Sequence, residues 1–164
     1  MSYLLNYNNV KKNFKCVYTE LSSGQDTGSS WNTLSGSVIS YTPAPGSSNV
    51  IYEYTTSLGP KDSDNSAQLK LQWGSDENNV GDLSGVDIYR SYGCNVTNEI
   101  ASQNEIITAT YVLNVSSLSW SSEKTLLLKF RAWNGNLSFE SKLHETNDAI
   151  SSYVYNPFVI CYSI

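Results

Sequence analysis

The sequence predicts an all-β protein, an antiparallel two-sheet jelly-roll sandwich of about 8–10 strands. Three observations predict it. Short runs rich in Val, Ile, Tyr and Thr recur between turn signals spaced about ten to fifteen residues apart. Helical periodicity is almost absent. Twelve Tyr, four Trp and four Phe in 164 residues, with only 15% charged residues, make a strand-forming composition with a weakly charged surface. A chain of this length buries roughly two-thirds of the surface its unfolded form exposes, so a single domain over residues 13–164 can hold its own core.

The first dozen residues, MSYLLNYNNVKK, place Tyr3, Leu4, Leu5 and Tyr7 ahead of two lysines. Residues 1–12 read as a first strand or as an arm that docks on a partner through those four side chains. Strands are then expected at 13–20, 37–42, 49–56, 67–73, 85–91, 105–115, 124–133, 138–144 and 153–163. The segments between them are rich in Gly, Pro, Asn, Asp and Ser. The stretch GSVISYTPAPGSSNVIYEY, residues 36–54, reads as a hairpin around Pro43, Pro45 and Gly46. Trp133-Asn134-Gly135-Asn136 carries the Asn-Gly pair of a type I′ turn.

Several function classes find no support in the sequence. Ten Lys and Arg against fifteen Asp and Glu leave a net charge of −5, and the cations are scattered apart from Lys11 and Lys12. A nucleic-acid partner requires a concentrated positive field, so none is expected. No apolar run approaches the length of a membrane helix or a signal peptide, which predicts no membrane partner and folding in a cytosol.

The single histidine, His144, has no second His with which to ligate a metal, and no P-loop, dinucleotide fingerprint or nucleophile elbow is present. The pairs Glu99 with Glu105 and Asp82 with Asp87 are what any chain with fifteen acids offers. No enzyme, cofactor or metal is expected. The loops Asp62-x-Asp64-x-Ser66 and Asp76-x-Asn78 with Gly81 and Asp87 resemble calcium loops but lack key ligands, and read as solvated turns. The sequons at Asn95, Asn114 and Asn136 read as accidental without secretory entry. Cys16, Cys94 and Cys161 read as small buried hydrophobes, with Cys16 and Cys161 able to lie on neighbouring strands without a disulfide.

What remains is surface. Val50, Tyr52 and Tyr54 share one strand face, and Ile51, Glu53 and Thr55 the other. In YVYNPFVICYSI, Tyr153, Tyr155, Val159 and Cys161 alternate with Val154, Phe158, Ile160 and Tyr162. Strands bulky on both faces are covered on both faces, so one face is assigned to the core and the other to a seam between copies of the chain.

The stretches WNTLSGSVISYTPAPGSSNVIYEYTTSL, TLLLKFRAWNGNLSFESKLHETN and VYNPFVICYSI, within residues 31–164, resemble a family of trimeric jelly-roll modules of bacteriophages and marine algal viruses, related in shape to the tumour-necrosis-factor fold. The resemblance implies a homotrimeric fibre, decoration or minor capsid component found in the virion, with other virion proteins such as capsid or tail components as partners. It makes Trp31, Tyr41, Tyr52, Tyr54, Trp133, His144 and the strand 154–162 framework and trimer positions. Tyr41, Tyr52, Tyr54, Tyr155, Phe158, Ile160 and Tyr162 are the expected seam residues. The short segment ahead of the matched region leaves no room for a fibre shaft, which favours attachment through the N-terminal arm.

The rival reading is a carbohydrate-binding adhesin for a host surface glycan. Sugar recognition uses aromatic faces, and Trp73 beside GSDENN and Trp120 within SSLSWSS are the expected platforms.

Overall fold

The computed structural model describes residues 12–22, 24–26, 30–60, 64–83, 89–95, 105–132, 141–143, 145–147, 152–154 and 156–164. Within them the strands are β1 (Lys12–Tyr18), β2 (Gln25–Asp26), β3 (Asn32–Thr33), β4 (Ile39–Tyr41), β5 (Asn49–Pro60), β6 (Asp64–Gly74), β7 (Val80–Asp82), β8 (Tyr89–Asn95), β9 (Glu105–Asn114), β10 (Lys124–Ala132), β11 (Ser141–Leu143), β12 (Glu145–Asn147), β13 (Ser152–Val154) and β14 (Phe158–Ser163). The excess over the expected number comes from two- and three-residue pieces such as β2, β3, β7 and β12. These have no periodicity of their own and are strands only because a longer neighbour pairs with them.

Two six-stranded antiparallel sheets form a sandwich. In the first, β14 joins β1 to β5, β9 lines the far edge of β5, and β11 with β2 extends the sheet past the end of β14. In the second, β10 pairs with β6; β4 and β3 share the outer edge of β10, and β7 and β8 that of β6. The main pairs are nested: β1 with β14, β4 with β10, β5 with β9, β6 with β8. That is an antiparallel ribbon rolled onto itself, the jelly roll the sequence predicts.

Residues 36–54 are not a hairpin. β4 and β5 lie in different sheets, and the link between them is a corner. The local chemistry explains why. Ser47 N–H donates to Ala44 C=O at 3.1 Å with Gly46 at φ +76°, which with Pro45 before it is a type II turn, whose twist splays strands rather than pairing them. The expected strand at 153–163 is likewise broken, at Asn156-Pro157, where the proline offers no N–H to a ladder. The Asn-Gly turn at 133–136 lies outside the described residues.

The core between the sheets follows from strict alternation. Val50, Tyr52 and Tyr54 of β5, Ile107, Ala109, Tyr111 and Leu113 of β9, and Val159 and Cys161 of β14 face Leu69 and Leu71 of β6 and Leu126, Leu128 and Phe130 of β10. Burying a Leu or Phe side chain stabilises by about 1.5–3 kcal/mol, so this layer outweighs every other local contribution.

Its tyrosines are polar pins as well as filler. Tyr52 Oη donates to Ser37 C=O at 2.6 Å and Tyr54 Oη to Ser35 C=O at 2.7 Å, while Tyr41 Oη and Ser163 Oγ lie 2.7 Å apart. Ser37 Oγ in turn donates to Leu34 C=O at 2.6 Å and accepts Leu128 N–H at 3.0 Å. The turn carrying these carbonyls needs Gly36 at φ +73°, and a methyl there would lie 2.5 Å from Pro157 Cγ.

Burial pushes the Tyr52 phenol well above its ordinary range, with Tyr54 and Tyr111 adding to the effect, and burial raises Tyr54 and the Cys161 thiol as well. A raised folded-state value for an acid favours its neutral form in the native state. The associated stability is complete below the unfolded phenol value of about 10 and is lost as pH rises above it toward the folded values. In an alkaline titration, tyrosinate absorbance from the core phenols should therefore appear together with loss of the β-sheet circular dichroism. Complete ionisation of all twelve tyrosines with the sheet signal intact would contradict the pinned core.

Candidate interaction faces

The outer face of the first sheet is built in rows by the strand register. Tyr18, Phe158, Thr55 and Thr108 form one row; Cys16, Ile160, Glu53 and Thr110 the next; Tyr162, Ile51 and Val112 a third. Phe14 extends this face along β1, and Ile106 along β9. Phe14, Tyr18, Ile106 and Val112 are each 57–66% exposed, and Phe158, Ile160 and Tyr162 are half-buried. Ile51 and Thr55, on the central strand, are already buried by their flanking neighbours. The three rows hold a single carboxylate, Glu53, which accepts the Tyr162 hydroxyl at 3.3 Å. Thr55 and Thr108 satisfy each other's hydroxyls at 3.0 Å. Partial burial raises the Tyr162 phenol, and Glu53 adds to the shift by its charge.

Several residues expected at the seam are elsewhere. Tyr41, Tyr52 and Tyr54 are core, at 3%, 0% and 0% exposure, because their strand parity points between the sheets and their hydroxyls find partners there. Phe158, Ile160 and Tyr162 do lie on the outer face. Tyr155, Trp133, His144 and the arm residues Tyr3, Leu4, Leu5 and Tyr7 lie outside the described residues.

Of the two expected sugar platforms, Trp120 is buried and Trp73 is half-buried. Trp120 is 3% exposed, donates its indole N–H to Ser122 C=O at 2.9 Å, and meets Tyr41 and Trp73 edge-on at 6.1 and 5.6 Å. It plugs one end of the core. Trp73 packs against it with the Lys124 ammonium 5.6 Å from its ring centre.

No protein-family model matches this chain, and no curated protein matches it in sequence.

Among the described residues no cluster of three His, Cys, Asp or Glu is placed to hold a metal ion. Asp76 Oδ1 accepts Asn78 N–H at 2.9 Å, closing a turn. Cys16 and Cys161 are free thiols on the adjacent strands β1 and β14, facing opposite sides. Cys161 is buried as expected; Cys16 is exposed because its parity places it on the outer face.

The outer face of the second sheet has a different chemistry. Lys70 of β6 lies directly opposite Lys129 of β10, and Arg131 follows two residues on, opposite Gln68. Trp31, beside β3, carries the Lys70 ammonium 4.8 Å and the Arg131 guanidinium 4.6 Å from its ring centre. Arg131 Nε donates to Gln68 Oε1 at 2.8 Å, and Lys129 Nζ to Thr33 Oγ1 at 2.6 Å. Reading the chain strand by strand misses this cluster. The signal that could have found it is the outward parity shared by Gln68 and Lys70 in AQLKLQW and by Lys129 and Arg131 in LLKFRAW.

Proposed function

We propose that the protein is a non-enzymatic structural component of a virus particle that assembles as a homotrimer through the outer face of its first sheet. The observation that carries the assembly reading is that face: three rows of Tyr, Phe, Ile, Val and Thr broken by one carboxylate, on a chain with net charge −5. Three copies that each turn this face toward a common threefold axis suit it, because apolar and aromatic side chains then meet with almost no like charge. The trimeric state and the particle come from the resemblance to viral jelly-roll modules, with which the nested strand pairing agrees. Other virion proteins are the partners, reached through Tyr3, Leu4, Leu5 and Tyr7 of the N-terminal segment.

Light scattering over a dilution series, on the whole chain and on a variant lacking residues 1–11, tests this. The expected mass is three times that of the 18.2 kDa chain in both. A monomer at every concentration overturns the seam. The seam also predicts the behaviour of Glu53, a carboxylate with no cation in its row that assembly takes out of water. Glu53→Gln keeps the bond from Tyr162 and removes the charge, so self-association at neutral pH should tighten by about tenfold or more. Weaker association in that variant would mean that Glu53 meets a cation across the interface.

A further inference from the structure

We infer that opposite edges of the first sheet pair between copies, β1 of one protomer running antiparallel alongside β9 of the next, so that three copies close into one ring of strands around the threefold axis. The inference rests on the seam proposed above and deepens it, naming the strand of the neighbouring copy that completes each face.

Edge strands are ordinarily shielded by charge, proline, a bulge or shortness. β9 has none of these: it is ten residues long, in unbroken register with β5, and its one charged residue is Glu105 at its start. The large apolar side chains that stand exposed among the described residues are Phe14 and Tyr18 of β1 and Ile106 and Val112 of β9. All of them are on strands at the two opposite edges of this one sheet. Among the described residues β1 pairs with β14 alone and β9 with β5 alone.

The backbone directions can be read from bonds just beyond the strand ends. In an antiparallel ladder a residue turns both its N–H and its C=O to the same neighbour, and the next residue turns both the other way. Past the end of β9, Val115 N–H donates to Ser48 C=O at 3.0 Å. Counting back in twos, Leu113, Tyr111, Ala109 and Ile107 give their backbone groups to β5, and Val112, Thr110 and Ile106 turn theirs off the edge. Past the end of β1, Thr19 N–H donates to Pro157 C=O at 3.1 Å, so Val17 turns to β14 while Tyr18 and Cys16 turn outward. The residues that turn their backbone off each edge are thus those whose side chains line the outer face. Adding a strand there forms the ladder and brings the exposed apolar side chains into cross-strand contact together.

Direction and closure identify the occupant. β1, β14, β5 and β9 alternate in direction, which makes β9 antiparallel to β1 and lets one edge receive the other. An edge paired with its own copy would stop at two chains and leave the opposite edge bare. β1 against β9 is a head-to-tail contact, which closes as a ring and covers both edges of every copy. Charge favours the same choice. β1 carries Lys12 and Lys15, which a second β1 would repeat, whereas β9 carries one carboxylate and no cation. In the closed ring the outer faces point at the axis, as the seam requires.

Cross-linking and solution mass on the whole chain test the pairing. Cys16 is an exposed thiol on β1, so a cysteine at matching height on the neighbour's β9 would lie beside it. Ile106→Cys, Thr110→Cys and Val112→Cys are each treated with a short bis-maleimide, which joins two thiols without an oxidant. At least one should give three covalently joined chains on a denaturing gel, and adding Cys16→Ser should abolish the link. Ala109→Cys, on the buried face, should give none. Thr110→Pro removes an N–H that points off the edge and none from the ladder with β5, so it should weaken trimer formation by about tenfold or more with circular dichroism unchanged. The cross-links decide the matter even if that variant does not fold. A trimeric parent in which none of the three cysteines links to Cys16, or in which linkage stops at two chains, overturns the edge pairing and leaves the seam standing. A parent that is monomeric by light scattering overturns the seam and this inference with it.

Discussion

The double variant Tyr52→Phe with Tyr54→Phe should lose about 2–4 kcal/mol of stability with the core volume unchanged, lowering the thermal midpoint by roughly 5–15 °C. The two hydroxyls donate to Ser37 and Ser35 carbonyls in the turn between β3 and β4. Ser37 is fully buried, so its carbonyl would have no water to replace the lost donor. An unsatisfied buried acceptor costs about 1–3 kcal/mol, more than the net value of the bond itself, and Tyr54, whose hydroxyl is only partly buried, contributes less. The same turn fixes Ser37 Oγ as acceptor for Leu128 N–H, so loosening it frees an edge of β10. Thermal and urea unfolding of the two single variants and the double variant measure the effect. A double variant as stable as the parent would mean that these carbonyls are satisfied some other way and that the tyrosines only fill space.

Such pins were not visible in the sequence, and the reason is general. Alternation along β5 correctly grouped Val50, Tyr52 and Tyr54 on one face and Ile51 with Glu53 on the other. Because both faces are apolar, pattern alone could not say which one turns inward. That choice depends on partners distant in the chain, the carbonyls at 35 and 37 among them, and assigning Tyr52 and Tyr54 to the seam followed from that gap. The type II turn at Pro45-Gly46 was equally legible as a turn, but only the pairing of β4 with β10 shows that it crosses between sheets. Trp120, an expected sugar platform, is instead core, because a residue closing the end of a sandwich is surrounded by turn residues for the same reason that it is buried. The cationic cluster around Trp31 depends on the β6–β10 register, which joins residues about sixty apart in the chain. The long strands β5, β6, β9 and β10 are legible as strands because each carries a run of β-forming residues of its own.

Ile160→Asp should convert the assembled protein to monomer, weakening self-association by about a hundredfold or more while the chain stays folded. Ile160 is in the middle row of the first sheet's outer face, between Cys16 and Glu53. An aspartate there adds a second carboxylate directly opposite Glu53, and a closed seam would have to bury both without a cation in the row. Within the monomer the cost is smaller, because the side chain is half-exposed and cross-strand like-charge pairs cost up to about 1 kcal/mol. Val112→Asp, on β9 at 57% exposure, reaches the same face from its far edge and should act in the same direction. Ser121→Asp, on an exposed turn away from both faces, should change nothing. Sedimentation equilibrium on the three variants separates the possibilities. If Ile160→Asp and Val112→Asp both keep the parent's mass, the first sheet is not the seam. If Ser121→Asp dissociates the protein as readily, added charge anywhere is sufficient and the face has no special role. Dissociation confined to the two face variants would place the interface on β14 and β9 together, a breadth that a single strand edge could not supply.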